Sequence, residues 1–223
     1  MKNIYPFKKD ELQYPYDALE PYIDEETMHY HYDKHFQTYI ENSNKILSNY
    51  SQFHKLTLEE MIVNIASFPY EIQQDLKNNL GGVYNHEMYF NIINPYYVKG
   101  GNNELINKIN GQYGSIDKFY LEFEKMAKKV FGSGYTFLVL NALEELDIVN
   151  THNQDVPIRK NLKPILLIDN WEHAYYLKHK NNRAQYIKDF FNVINFDVAN
   201  QIYLNALNNK LCSDSFDVKF KCE

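Results

Sequence analysis

The sequence is poor in cysteine, tryptophan and long apolar runs, and it has no excess of positive charge. Its two cysteines, Cys212 and Cys222, fall in the last dozen residues, outside any plausible core. They read as a reduced pair on a C-terminal tail rather than as a structural disulfide. The longest apolar runs, FLVL and ILLI, are far too short to span a bilayer, so no membrane association is expected. The opening stretch, MKNIYPFKKDELQYPYDALEPYI, lacks the apolar core of a signal peptide, and a cytoplasmic protein is the expectation. With 23 lysines and arginines against 29 aspartates and glutamates, the net charge of -6 argues against a nucleic-acid partner. Such binding depends on basic patches that neutralise phosphates. A small anionic substrate is compatible with this charge, because the field near a site can oppose the global one.

What the chain has in quantity is aromatic: 20 tyrosines and 14 phenylalanines in 223 residues. Tyrosine packs its ring while keeping a polar tip. The length suits one large domain or two small ones, enough to bury a proper core.

The first helix announces itself in IDEETMHYHYDKHFQTYIENSNKIL, with Asp24 as N-cap and Glu25 and Glu26 in the first turn, where the helix dipole favours negative charge. His31, His35 and Tyr39 follow at i, i+4, i+8 and share a face. Thr57 to Glu60 spell a capping box that opens a second helix, expected to run to Pro69. A third helix, roughly 70–93, carries NNLGGVYNHEMYF and closes at Pro95. The segment PYYVKGGNN has the proline, glycines and asparagines of a linker. Beyond it come helices at NELINKIN and SIDKFYLEFEKMAKKVF, the latter stopped by Gly132 and Gly134. Three β-prone runs, YTFLVL, LDIVNTH and PILLID, follow, and then two more helices, RAQYIKDFFNVI and FDVANQIYLNAL. The fold class is α+β: an N-terminal helical hairpin domain over 1–94, a linker over 95–103, an α/β domain with a small three-stranded antiparallel sheet over 104–210, and a tail over 211–223.

Several residues in this layout invite chemistry. His31 and His35 at helical spacing either both bind a metal or neither does, since such pairs arise by chance in a chain with eight histidines. His86 follows Gly81 and Gly82, and two glycines inside a helix cost about 1 kcal/mol each against alanine. Close backbone approach to something is the usual reason. In DNWEHAYYLKHKNN, Asp169 ends an apolar strand and His173 lies four residues on. A buried aspartate needs a partner, and a cation shared with His173 would meet that need while Trp171 walled the pair from water. Spacing alone does not tie this pair to His31 or His86.

Taken together, YPYDALEPYI, HYDKHFQTY, NNLGGVYNHEMYF, VFGSGYTFLVL, THNQDVP and DNWEHAYYLKHKNNRAQYIKDFFNVINFD resemble the iron/manganese superoxide dismutases over residues 12 to 208. The resemblance implies metal ligands at His31, His86, Asp169 and His173, with one solvent molecule completing the shell. It makes His35 a neighbour of the ligands, Tyr39 a gateway tyrosine, and Gln154 the residue that hydrogen-bonds the bound solvent. Asn85, Trp171 and Tyr135 would pack around the site. Gly82 stands where iron-dependent members usually carry their own glutamine, so Gly82 with Gln154 looks manganese-like. Glu172 and Tyr176 resemble residues that reach across a homodimer interface, with a tetramer as the alternative. The implied reaction turns superoxide into dioxygen and hydrogen peroxide by redox cycling of one manganese ion per subunit. An iron-dependent or metal-tolerant enzyme is the alternative, and a non-catalytic structural protein on the same fold is a further one. Zinc, with no accessible redox change, will not serve. Lys34 and Arg183 are candidates for drawing the anion in. The chain departs from the family's usual tryptophans at Phe90 and Tyr135, carries Phe137 at an aromatic position that is often tryptophan, and has Phe36 where many members have a second histidine.

Overall fold

The computed structural model describes residues 3–95 and 103–208. Most of the expected linker therefore lies outside the described residues, as does the tail with Cys212 and Cys222.

The first helical stretch forms where expected, capped by the Asp24 side chain accepting from the Thr27 backbone N–H at 3.3 Å. It is not one uniform helix. Helix α1 (Glu25–Met28) passes into a π-helical segment, His29–Phe36, and then into α2 (Gln37–Leu47). Wider i→i+5 winding of this kind is uncommon and recurs at functional sites. Here it covers both His31 and His35, and His31 and Phe36 are buried within it.

Helix α3 (Leu58–Val63) starts on the full Thr57/Glu60 capping box but does not reach Pro69. Asn64 ends it: its side-chain amide donates to the Glu60 carbonyl at 2.9 Å and its backbone leaves the helical region. Asparagine commonly offers the backbone such an alternative partner. Helix α4 (Tyr70–Ile92) is the spine of the molecule, with Leu76, Leu80, Val83, Tyr89 and Ile92 all in the core. It packs against α2 and α3 on the N-terminal side and against the sheet beyond.

Helix α5 (Glu104–Tyr113) ends at Gly114 in the left-handed region (φ 89°), and Ser115 caps α6 (Ile116–Lys128) immediately afterwards. Helix α6 stops at Lys129, ahead of the glycines expected to stop it. Gly132 (φ 74°) instead turns the chain into the sheet, while Gly134 lets two strands approach: a Cβ there would sit 2.1 Å from the Thr151 carbonyl oxygen. The sheet has order β2-β1-β3, with β1 (Gly134–Leu140) antiparallel to both β2 (Leu146–His152) and β3 (Lys163–Asp169). Central β1 is buried along its whole length, which explains its unbroken apolar run. Pro164 sits in edge strand β3, where a missing N–H is tolerated, and the register shifts at Leu138/Val139 opposite it. Short α7 (Tyr176–His179) packs on α1 and α8, α8 (Arg183–Phe190) packs on α6, and α9 (Phe196–Asn208) lies over β3, α4 and α5. The architecture is that of an N-terminal helical hairpin followed by an α/β unit with a three-stranded antiparallel sheet.

Candidate metal centre

Four side chains from four separate places converge between these halves. His31 comes from the π-helical segment, His86 from α4, Asp169 from the end of β3, and His173 from the single turn after it. One potential ligand atom from each lies within 4.8 Å of all the others. His31, His86 and Asp169 are fully buried or nearly so. Asp169 Oδ2 is 3.2 Å from His31 Nε2 and 3.1 Å from His173 Nε2, and its other oxygen accepts from the Trp171 backbone N–H at 2.8 Å. That last bond curls the turn so that His173 faces back to the carboxylate.

The donor atoms fit a cation. His86 Nδ1 donates to the Gly82 carbonyl at 2.8 Å, which leaves Nε2 as a lone pair; this atom and His31 Nε2 are buried without a hydrogen bond. Buried unpaired nitrogens cost free energy unless something fills them, and an ion coordinated by neutral imidazoles does so. Burial pushes the His31 pKa down to about 4, with His173 opposing protonation as well, and burial holds His86 well below its usual value. Burial alone would raise the Asp169 pKa, but His173 and His31 outweigh it and hold the carboxyl well below the usual range. The set is three imidazoles and one carboxylate, a donor set suited to a divalent or trivalent transition metal.

A stability prediction follows from the His31 shift. A histidine whose folded pKa is depressed takes up its proton more readily when unfolded, so metal-free protein loses stability as pH falls from 6.5 toward 4. His31 contributes to this loss because its imidazole must give up a buried, neutral state to take the proton. Urea midpoints of the metal-free protein at pH 7 and pH 4.5 test this; coincident midpoints would contradict it.

Around the four side chains sits an aromatic wall. Phe90 and Tyr89 pack on His31 at centroid distances of 4.9 and 5.0 Å, and Trp171 stacks on His173 at 5.5 Å and 22°. The Trp171 indole N–H donates to the Asn153 carbonyl at 3.1 Å, which fixes the ring. His35 offers no ligand atom to the group; it stacks on His173 at 4.3 Å and is half-buried. Gln154 Nε2 donates to the Tyr39 hydroxyl at 3.0 Å, and Asn85 Nδ2 donates to Gln154 Oε1 at 3.2 Å. Burial, and then the Asp169 charge, raise the Tyr39 pKa above its usual value, so its hydroxyl stays protonated.

The two glycines of α4 answer the question their spacing raised. A Cβ at Gly81 would lie 2.0 Å from the Gln154 carbonyl oxygen, and one at Gly82 would lie 2.4 Å from the Tyr39 ring. Glycine here lets Gln154 and Tyr39 close on the helix that carries His86. Arg183 does not match the expectation of a charge free to steer an anion: its guanidinium donates to the Val130 and Lys128 carbonyls at 2.8 and 3.3 Å, tying α8 to the end of α6. Lys34 is exposed. Glu172 and Tyr176 are exposed, Tyr176 by 48%. Sequence reasoning missed the buried Tyr89–Tyr186 hydroxyl pair (3.2 Å) behind His31. The one available signal was Tyr89 three residues after His86, on the same helix face.

A helical hairpin joined to an α/β unit, with one carboxylate and three imidazoles buried between them, defines a mononuclear metal protein. The profile described as iron/manganese superoxide dismutases, alpha-hairpin domain, matches residues 6–94, and that for the C-terminal domain of the same family matches residues 101–202. Manganese superoxide dismutase 2 of Bacillus anthracis is 39% identical over 204 residues, covering 92% of this chain and 98% of that protein. Manganese/iron superoxide dismutase 2 of Staphylococcus aureus is 42% identical over 200 residues, covering 90% and 98%. The chain belongs to the iron/manganese superoxide dismutase family.

Proposed function

We propose that this superoxide dismutase holds manganese through His31, His86, Asp169 and His173, one ion per subunit. The observation that carries the reading is the closed group of four ligand atoms with buried, unpaired imidazole nitrogens pointing into it. When bound, the redox-active ion supplies the one-electron exchanges that oxidise one superoxide to dioxygen and reduce a second, with two protons, to hydrogen peroxide. The residues supply the rest. His86 is held as the right tautomer by the Gly82 carbonyl, an arrangement that orients a ligand imidazole and raises its basicity. Because Gln154 donates to the Tyr39 oxygen, the proton of Tyr39 is left to point elsewhere, toward an incoming anion. Asn85 fixes the amide of Gln154 from behind, and His35 holds His173 by stacking. Phe90, Tyr89 and Trp171 keep bulk water out, which strengthens every electrostatic interaction inside.

Gly82 together with Gln154 favours manganese over iron, since no side chain fits at Gly82 beside Tyr39. The relative named for both metals supports a second reading, a metal-tolerant enzyme. Activity per bound metal, after separate reconstitution with manganese and with iron, decides between them. High activity with manganese alone is the expected result; high activity with iron alone would overturn the reading, and equal activity would establish metal tolerance.

The enzyme works as a homodimer in this reading, with Glu172 and Tyr176 at the interface. The exposure of Tyr176, with that of Phe131 at 93%, supports this reading as apolar surface open to a partner. Tyr176→Ala and Glu172→Ala together shift sedimentation at micromolar concentration from dimer to monomer; an unchanged dimer would remove these residues from the interface. The domain boundary is placed within 95–103. Among the described residues no helix is long and apolar enough to cross a membrane, and we place the enzyme in the cytoplasm.

A further inference from the structure

Helix α4 grips the turn after β2 at three points, and the outermost of them lies well away from the four converging side chains. Lys77, Gly81 and Asn85 are spaced by four residues and share one face of the helix. Each meets a different part of the same short turn. Asn85 Nδ2 donates to Gln154 Oε1 at 3.2 Å and lies 3.4 Å from the Gln154 carbonyl oxygen. Gly81 abuts that same carbonyl, with no room for a Cβ. Lys77 Nζ forms an ion pair with Oδ1 of Asp155, the next residue along. From outside the helix, the Trp171 indole holds the Asn153 carbonyl at 3.1 Å. The turn itself is tight: the Asp155 N–H donates to the His152 carbonyl at 3.0 Å, and Asn153 has a positive φ of 49°. Gln154 is buried with its amide on the Tyr39 hydroxyl, although Asn153 beside it is exposed.

We propose that Lys77 is a positioning residue for the dismutase reaction: through its ion pair with Asp155 it seats Gln154 against Tyr39 and Asn85. An ion pair this open to solvent, with 25% of the lysine side chain and 47% of the aspartate exposed, adds little to global stability. Its contribution is geometric. Without it the turn is anchored only at Asn153 and Gln154, its Asp155 end is free to pivot, and the Gln154 side chain pivots with it. Lys77 itself stands nine residues before His86, about 13 Å along the helix axis, so it acts on the site only through the turn. An amide dipole hydrogen-bonded between Asn85 and Tyr39 contributes to the field at an ion held by the neighbouring His86. Its displacement is therefore read in the visible absorption and the reduction potential of the metal-loaded protein.

The inference rests on the ligand assignment and on the role given to Gln154 above, and the test separates it from both. Metal-loaded wild type, Lys77→Met, Lys77→Arg and Asp155→Asn are compared for metal content, activity, visible absorption and reduction potential, each also in a Gln154→Ala background. Lys77→Met and Asp155→Asn remove charges of opposite sign but break the same ion pair. The expected result is full metal content, potentials shifted in the same direction in both variants, and activity lowered by up to about fivefold, as much as so exposed a pair can carry. Lys77→Arg, which keeps the pair, returns to wild type, and in the Gln154→Ala background neither variant shifts the potential further. Shifts of opposite sign would mark a direct effect of the two charges and overturn the inference. An unchanged potential and spectrum, or shifts that persist without Gln154, would overturn it as well. Should one of the two variants fail to fold, the other carries the test through its comparison in the two backgrounds. If Gln154→Ala alone leaves potential and spectrum unchanged, the role of Gln154 falls and this inference with it; a wild type that takes up neither manganese nor iron would sink the ligand assignment itself.

Discussion

Asp169→Ala is expected to fold, to retain no stoichiometric metal and to lose dismutase activity by far more than the ~10–100-fold typical of residues one shell beyond the ligands. Two separate losses drive this. The only carboxylate of the ligand group disappears, leaving three neutral imidazoles to face a cation. The bond from the Trp171 N–H to the carboxylate also goes, and with it the curl of the chain that turns His173 inward. Asp169→Asn separates the two effects. Its side-chain oxygen can still accept from Trp171, so the turn survives while the charge is lost. Metal content by mass spectrometry of metals, read beside circular dichroism, checks both variants. A folded Asp169→Ala with full metal content would remove Asp169 from the ligand set.

Gly81→Ala is expected to destabilise the protein by about 2 kcal/mol or more, although helix propensity alone predicts a gain of about 1 kcal/mol. The clash wins because the obstacle is main chain. The new methyl would meet the Gln154 carbonyl oxygen at 2.0 Å, and that carbon at 3.1 Å, so either α4 or the loop after β2 must move. Moving the loop displaces Gln154 from Tyr39 and Asn85, and activity falls together with stability. Gly111 provides the control within the same chain. It lies in α5, and a Cβ there meets nothing within 4 Å. Gly111→Ala should therefore stabilise by up to about 1 kcal/mol. Chemical denaturation of the two variants must give shifts of opposite sign; two shifts of the same sign would refute the close-approach account of Gly81.

Much of this was legible in the residues. Local chemistry announced the Asp24 cap and the Thr57/Glu60 box, because caps are satisfied within four residues and need nothing from afar. The strands could be read from unbroken or β-branched apolar runs, and the glycine pair of α4 signalled a close approach without saying to what. The motifs around HYDKHFQTY, YNHE and DNWEH led to the four side chains that converge, His31, His86, Asp169 and His173, through family resemblance, not through spacing. Where local reading erred, the cause was also local but ambiguous. Asn64 ended α3 through its own side chain, and α6 stopped before its glycines. An i, i+4 histidine pattern looks the same in an α-helix and in the π-helical segment that holds His31 and His35.

By itself, then, the sequence determined the order and kind of elements, the caps, and the inventory of imidazoles and carboxylate available to a metal. Tertiary structure decided which of them meet. Gln154 reaches Tyr39 across 115 positions and Asn85 across 69, and Tyr135 faces Asp169 only through strand register. Such contacts depend on how α4 packs between hairpin and sheet, a property of the whole core that no short window of residues contains.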